Sequence, residues 1–185
     1  MVTNGMSQYS RNERNANSGI VVAITPDDYP GGPLAGVALQ RELESRAFVL
    51  GGGDYKAPAQ RLEDFLAAVP SVSLGTARPS YAPGVMPTDL SSALPPFVIE
   101  AIREALPAFA RQIPGFDHPD AVLTGVETRT SSPLRISRGK DLQSTNTPGL
   151  FPAGEGAGFA GGILSAGIDG LRVGEAVARQ LALLK

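Results

Sequence analysis

The chain has 185 residues, 42% of them hydrophobic, with 16 basic and 18 acidic side chains for a net charge of -2 at pH 7. That length is enough to bury a core, and the scattered basic residues argue against an extended phosphate-tracking surface and so against a nucleic-acid protein. Cysteine is absent, which removes disulfides, thiolate nucleophiles and sulfur-ligated metals together. No apolar run approaches the roughly 18 residues needed to span a bilayer, and no basic region followed by an apolar core opens the chain, so the cytoplasm is the expected location.

Residues 1–18 are polar and turn-rich and read as a loop. Residues 19–25, Gly-Ile-Val-Val-Ala-Ile-Thr, are apolar and β-branched and are stopped by Pro26-Asp-Asp-Tyr-Pro-Gly-Gly-Pro, which predicts a buried strand inside a sheet. From Pro33, Leu34, Val37, Ala38, Leu43 and Ala47 recur against Gln40, Arg41, Glu42 and Glu44, an amphipathic helix of about four turns ended by Gly51-Gly-Gly. Pro58 at a first turn, with Ala59, Leu62, Phe65, Leu66 and Val69 at helical spacing, predicts a second helix that packs on the first. Residues 71–88 are irregular, and a loop of that length in a compact domain is often functional. Tyr81 within it either lines a substrate pocket or fastens the loop through its hydroxyl.

A third helix is expected from Pro95 through Ile113, kinked or broken at Pro107. His118, the one histidine, lies in a turn cluster before Pro119 and reads as an exposed turn residue rather than a base. Residues 121–126 form a strand and residues 133–137 a second. Between them Glu127-Thr-Arg-Thr-Ser-Ser is either a solvated hairpin or a polar constellation able to hold charge, with Arg129, Thr130 and Ser131 at its centre.

The densest signal is near the end, Gly149-Leu-Phe-Pro-Ala-Gly-Glu-Gly-Ala-Gly-Phe-Ala-Gly-Gly-Ile. A short strand over residues 149–153 runs into glycines holding one carboxylate, and a helix follows to Leu184 with Ile163, Leu164, Ile168, Leu171, Val173, Val177 and Leu181 apolar, a stripe suited to covering a sheet. Gly156-Ala-Gly158-Phe-Ala-Gly161 matches GxGxxG, and Glu175 stands near the ribose-binding offset of roughly 20 residues. Context rejects a nicotinamide-binding Rossmann unit: Glu175 falls on a helix, not at the tip of a second strand.

These residues, together with Gly125-Val-Glu-Thr-Arg-Thr-Ser-Ser-Pro-Leu-Arg-Ile and Asn4-Gly-Met-Ser, resemble the bacterial FAD-dependent dehydrogenases labelled NAD(FAD)-utilising dehydrogenases. The resemblance runs from Asn4 to about Ala178. It implies the C-terminal part of a longer flavoprotein with an α+β (or α/β) fold, in which residues 1–120 are an inserted substrate-side region with three helices. Residues 121–185 are the strand-turn-helix return segment of the FAD-binding domain. By position it implies Glu155 as acceptor for a ribityl hydroxyl and Gly154 and Gly156 as points of close approach. Ala157, Gly158, Ala160, Gly161, Gly162 and Ile163 lead into the helix at the cofactor. Arg129, Thr130 and Ser131 lie over the flavin, Asn4 lies near it, and Arg129 and Tyr81 are the catalytic candidates.

FAD's adenosine half needs a strand, a glycine turn, a helix and an acid-ended strand, and nothing before Gly125 has that order. The expected partners are therefore FAD, a small-molecule substrate and an N-terminal FAD-binding segment of the same full-length chain, with no nucleic acid or membrane; FAD is not expected to stay on these residues alone. A non-enzymatic ligand-binding or interaction domain derived from the same fold is the alternative. No metal-ligand cluster is apparent.

Overall fold

The computed structural model describes residues 1–183. Among the described residues, four α-helices and one small mixed three-stranded sheet make this an α+β protein. The chain forms two compact units, the first from Met1–Asp28 and Arg41–Thr128, the second from Tyr29–Gln40 and the residues from Arg129 on.

Helix α1, Ala35–Leu50, follows the amphipathic pattern and stops at the glycines, where Gly52 and Gly53 take φ of +100° and +77°. In the first unit the sheet has the order β2-β1-β3. Its central strand β1, Ala57–Arg61, pairs in parallel with β2, Val85–Pro87, and antiparallel with β3, Val122–Thr124, in the register Ala57 to Val85 and Ala59 to Thr124. The helix expected from Pro58 is therefore mostly strand, and only Leu62–Leu66 forms a helix, α2. The reason is pairing on both edges, which overrides local pattern: Ala57, Ala59 and Gln60 are wholly buried between the neighbouring strands. Pro58 is tolerated where the β1–β3 ladder ends. Its carbonyl accepts from Gly125 N–H at 3.0 Å, and the return bond is the one a proline nitrogen has no hydrogen to make.

The core below the sheet is built from Leu62 and Phe65 of α2, Leu90, and Val98, Ile99, Ile102 and Leu106 of α3, Pro96–Ala110. Helix α3 begins at proline as expected and runs through Pro107 without breaking, with Ile102 and Leu106 buried on the turns that lead up to the proline. Residues 19–25 are not a strand. Ile20 and Val22 pack on the core while Val21 and Ile24 face out, so the alternation is real but no neighbouring strand completes a ladder. Gln60 joins the layers: its Nε2 donates to the Val69 carbonyl at 2.7 Å and its Oε1 accepts from Leu90 N–H at 2.9 Å.

In the second unit the strands expected at residues 133–137 and 149–153 are absent, apart from an isolated bridge between Arg138 and Ser144. Their backbone bonds go to turns instead: Ile136 N–H donates to the Ala157 carbonyl at 3.1 Å and Ser144 N–H to that of Leu150 at 2.8 Å. Helix α4, Ile163–Leu183, is present as expected and buries Asp169 and Val173. Its apolar stripe does not cover a sheet; Leu164 and Leu171 are 83% and 76% exposed. Leu184, the last residue expected on that stripe, lies outside the described residues.

Candidate functional site

The glycine-rich segment forms a compact turn before α4. Gly158 N–H donates to the Glu155 carbonyl at 2.9 Å and Phe159 N–H to the Gly154 carbonyl at 3.0 Å. Gly154 and Gly158 take φ of +69° and +80°, a region that favours glycine because it carries no Cβ. At Gly158 space adds to conformation: a Cβ there would lie 2.6 Å from the Leu134 carbonyl oxygen. Gly156 differs. It has no positive φ, and a Cβ built on it meets nothing within 4 Å, so neither backbone strain nor packing asks for glycine at that position.

Behind the turn stands an ion pair that sequence reasoning did not find. Asp169 of α4 receives a two-pronged bond from Arg138, at 2.6 and 2.9 Å, and also accepts from Gly154 N–H at 2.8 Å. Arg138 donates in addition to the Pro152 carbonyl at 2.7 Å, and its guanidinium lies 3.6 Å from the Phe159 ring centroid; Arg135 lies 4.3 Å from the same ring. Both partners of the pair are about nine-tenths buried. The Arg138 bonds, then the Gly154 N–H, hold the Asp169 carboxyl down at about 2, with the charge of Arg172 adding to the effect. Residues on both sides of Glu155 are thus fixed to α4 and to residue 138. Arg138 is one of the scattered basic residues of the sequence, and Asp169 is a lone acid nearly two turns into an apolar helix, a pattern that signals a buried partner.

Glu155 itself is exposed, and its side chain makes no hydrogen bond or ion pair among the described residues. Ala157 is buried, Ala160 and Gly162 are half-buried, and Gly161 and Ile163 are exposed at the start of α4. The segment after Arg129, Thr130 and Ser131, themselves exposed, is brought against the turn: Ser132 Oγ lies 3.2 Å from the Gly156 carbonyl and 2.8 Å from that of Leu134. In the first unit, Asn4 Nδ2 donates to Glu127 Oε1 at 3.2 Å and Thr3 N–H to the Val126 carbonyl at 2.8 Å, which joins the Asn4 motif to the start of the Gly125 motif. Tyr81 donates its hydroxyl to the Tyr55 carbonyl at 3.1 Å. His118 is exposed, with Nδ1 accepting from Asp120 N–H.

Among the described residues no group of three or more His, Cys, Asp or Glu could hold a metal ion, and no helix is long and apolar enough to cross a membrane. An unpartnered carboxylate flanked by glycines, held rigidly from behind, is suited to accepting hydrogen bonds from hydroxyls of a ligand that approaches the backbone closely.

The family model described as FAD-dependent protein, C-terminal domain-like, matches residues 1–130. The chain belongs to that family and is a C-terminal domain of an FAD-dependent protein. An uncharacterized protein of Clostridium beijerinckii is 48% identical over 186 residues, an alignment that takes in all of this chain and 35% of the relative. The chain thus spans about a third of the length of the relative it matches. The turn bearing Glu155 lies beyond the residues that the family model matches, and within the alignment with the relative.

Proposed function

We propose that this chain is the C-terminal part of a cytoplasmic FAD-dependent oxidoreductase, a dehydrogenase of a small-molecule substrate, and that it forms the ribityl and flavin side of the cofactor site together with part of the substrate pocket. FAD, when bound, supplies the transfer of electrons to and from substrate. The protein's part is to hold and tune. Glu155 accepts a hydrogen bond from a ribityl hydroxyl, Gly154 and Gly156 let the ligand reach the backbone, and Ala157 to Ile163 carry the chain into α4. The free N–H groups at that helix start face the pyrophosphate or the N1/O2 edge, where a helix dipole stabilises negative charge by about 0.3 to 1 kcal/mol. Arg129, with Thr130 and Ser131, offsets charge on the reduced flavin, Asn4 lies nearby, and Arg129 and Tyr81 act on the substrate side. Residues 1–120 form the substrate-side region and residues 121–185 return to the FAD-binding domain, whose N-terminal segment completes the adenosine half.

The observation that carries this reading is the pairing of an exposed, unpartnered Glu155 with a glycine at 156 that the fold itself does not require. Family membership supports the cofactor. In the full-length protein, Glu155→Ala weakens FAD retention by about 1.5 to 3 kcal/mol, the range for a bond to a charged group. Flavin absorbance after gel filtration reads the effect, and unchanged occupancy removes Glu155 from the site. Residues 1–185 expressed alone retain little or no flavin; a yellow preparation with a bound-flavin spectrum contradicts the division of the site between two segments.

A further inference from the structure

The glycine-rich turn is bordered by residues 132–136 of the same unit. Ile136 N–H donates to the Ala157 carbonyl at 3.1 Å, and Ser132 Oγ lies 3.2 Å from that of Gly156. Arg135 leaves this stretch where the two backbones come closest: a Cβ on Gly158 would lie 3.0 Å from its Cα. Its guanidinium rests over the Phe159 ring, 4.3 Å from the centroid, so the side chain is placed at both its root and its head. Arg138 lies over the same ring at 3.6 Å, yet the two cations differ. Arg138 spends its charge on Asp169 and a further bond on the Pro152 carbonyl. Arg135 is exposed and makes no hydrogen bond or ion pair among the described residues, so all five N–H donors of its planar head are open to a ligand. The balance of charge points the same way. Arg135, Arg138 and Arg172, whose field reaches Asp169, are three guanidiniums set against two carboxylates, Asp169 and Glu155.

We infer that Arg135 is an anion-binding residue at the Glu155 turn and holds an oxyanion, a phosphate or carboxylate group, of a bound small molecule. A guanidinium meets such a group with two parallel bonds and keeps its charge at any working pH. The neighbouring Gly156 has open space around it and Glu155 lacks a partner, so the ligand that fits carries hydroxyls for the carboxylate and an acid group for the arginine. Two sources have that chemistry, the diphosphate of FAD and the acid group of a substrate. The inference rests on the flavoprotein reading for the identity of the ligand, and on Arg135 and its surroundings alone for the anion.

The test compares full-length wild type with Arg135→Met, which keeps an apolar stem for the Phe159 ring and removes the charge. Titration calorimetry measures FAD, riboflavin and inorganic phosphate on the flavin-free protein, and inorganic phosphate again on the FAD-loaded protein. Loss of one charged bond is expected to weaken the anion by about tenfold or more. FAD weakened that far, with riboflavin unchanged because it has no phosphate, assigns the diphosphate. FAD and riboflavin both unchanged, with phosphate binding to the FAD-loaded protein lost, assigns the acid group of a substrate. Arg135→Lys, which keeps the charge and loses the fork, is expected to fall between wild type and Arg135→Met in either case. Equal weakening of FAD and riboflavin overturns the inference, since it shows that Arg135 only packs the turn. Identical binding of all three probes by wild type and Arg135→Met overturns it too, and leaves the FAD reading in place if FAD binds. A wild type that binds phosphate and no flavin, with the phosphate lost in Arg135→Met, keeps the anion site and removes the FAD reading.

Discussion

Replacing Asp169 by asparagine keeps the shape of the side chain and removes the charge that fixes the Gly154 turn. A carboxyl held at about 2 against an ordinary 3.8 corresponds to about 2 kcal/mol of stabilisation at roughly 1.4 kcal/mol per tenfold change in proton affinity. The pair is about nine-tenths buried, so solvent screens little of this. Asparagine accepts one bond, from Gly154 or from Arg138, and leaves the guanidinium short of its counter-charge, a loss of about 2 to 3 kcal/mol in all. The dependence on pH has a definite sign. Because the folded carboxyl binds its proton less tightly than the unfolded one, its contribution is full above about pH 5 and disappears as pH falls toward 2. Asp54, shifted down chiefly by the Lys56 side chain, and Asp120, shifted down chiefly by the Thr76 N–H, act with the same sign. The informative quantity is therefore the difference between wild type and Asp169→Asn in urea unfolding across pH 2 to 7. It should be about 2 to 3 kcal/mol at pH 7 and shrink steadily below pH 4. A difference under about 0.5 kcal/mol at pH 7, or one that stays constant down to pH 2, refutes the clamp.

Two glycines of the same turn should respond in opposite ways. Gly158→Ala, strained by its φ and by the Leu134 carbonyl, is expected to cost about 1 to 3 kcal/mol in urea unfolding. Gly156→Ala, with open space around it, should stay within about 0.5 kcal/mol in stability while reducing flavin retention in the full-length protein; reduced stability without reduced retention counts against a ligand at that position. Gln60→Leu removes both bonds of a wholly buried amide and leaves the Val69 carbonyl and Leu90 N–H without it, which is expected to cost about 2 to 4 kcal/mol; a neutral result in thermal unfolding shows that water or backbone shifts replace it. Pro107→Ala restores an N–H to the last turns of α3 and should raise stability by about 1 kcal/mol, less than the roughly 3 kcal/mol of helix-interior proline because the flexible unfolded chain offsets part of the gain. A lower melting temperature for that variant shows that the proline ring itself is packed.

The elements readable from the sequence were those whose stability is local. Helices α1, α3 and α4 each bring a long apolar repeat and a proline or glycine at an end, and β3 brings a β-branched run. Strand β1 was not readable because nothing in Ala57-Pro-Ala-Gln-Arg favours a strand by itself; its conformation comes from two neighbours, β2 some 28 residues on and β3 beyond it. Residues 19–25 show the converse. Their alternation describes which side chains touch the core, and a strand needs in addition a partner that the pattern cannot reveal. Residues 133–137 and 149–153 likewise have apolar or β-branched side chains, yet Ile136 N–H goes to the Ala157 carbonyl and Leu150 N–H to that of Thr147 rather than to a neighbouring strand.

At the candidate site the same division holds between what is contiguous and what is assembled. Glu155 stood out because six of the other seven residues from Gly154 to Gly161 are glycine or alanine, small enough to expose backbone, and density of that kind is visible in one dimension. Asp169 and Arg138 are 31 residues apart, and each is an ordinary charge in its own neighbourhood. Their meaning lies in the third contact, Gly154 N–H, which converts a buried ion pair from a weak source of stability into a device that sets the position of one turn. The rigidity comes from residues that no motif contains, and the carboxylate they support is left without a partner, so the charge at 155 is available for recognition because the charge at 169 is already spent on structure.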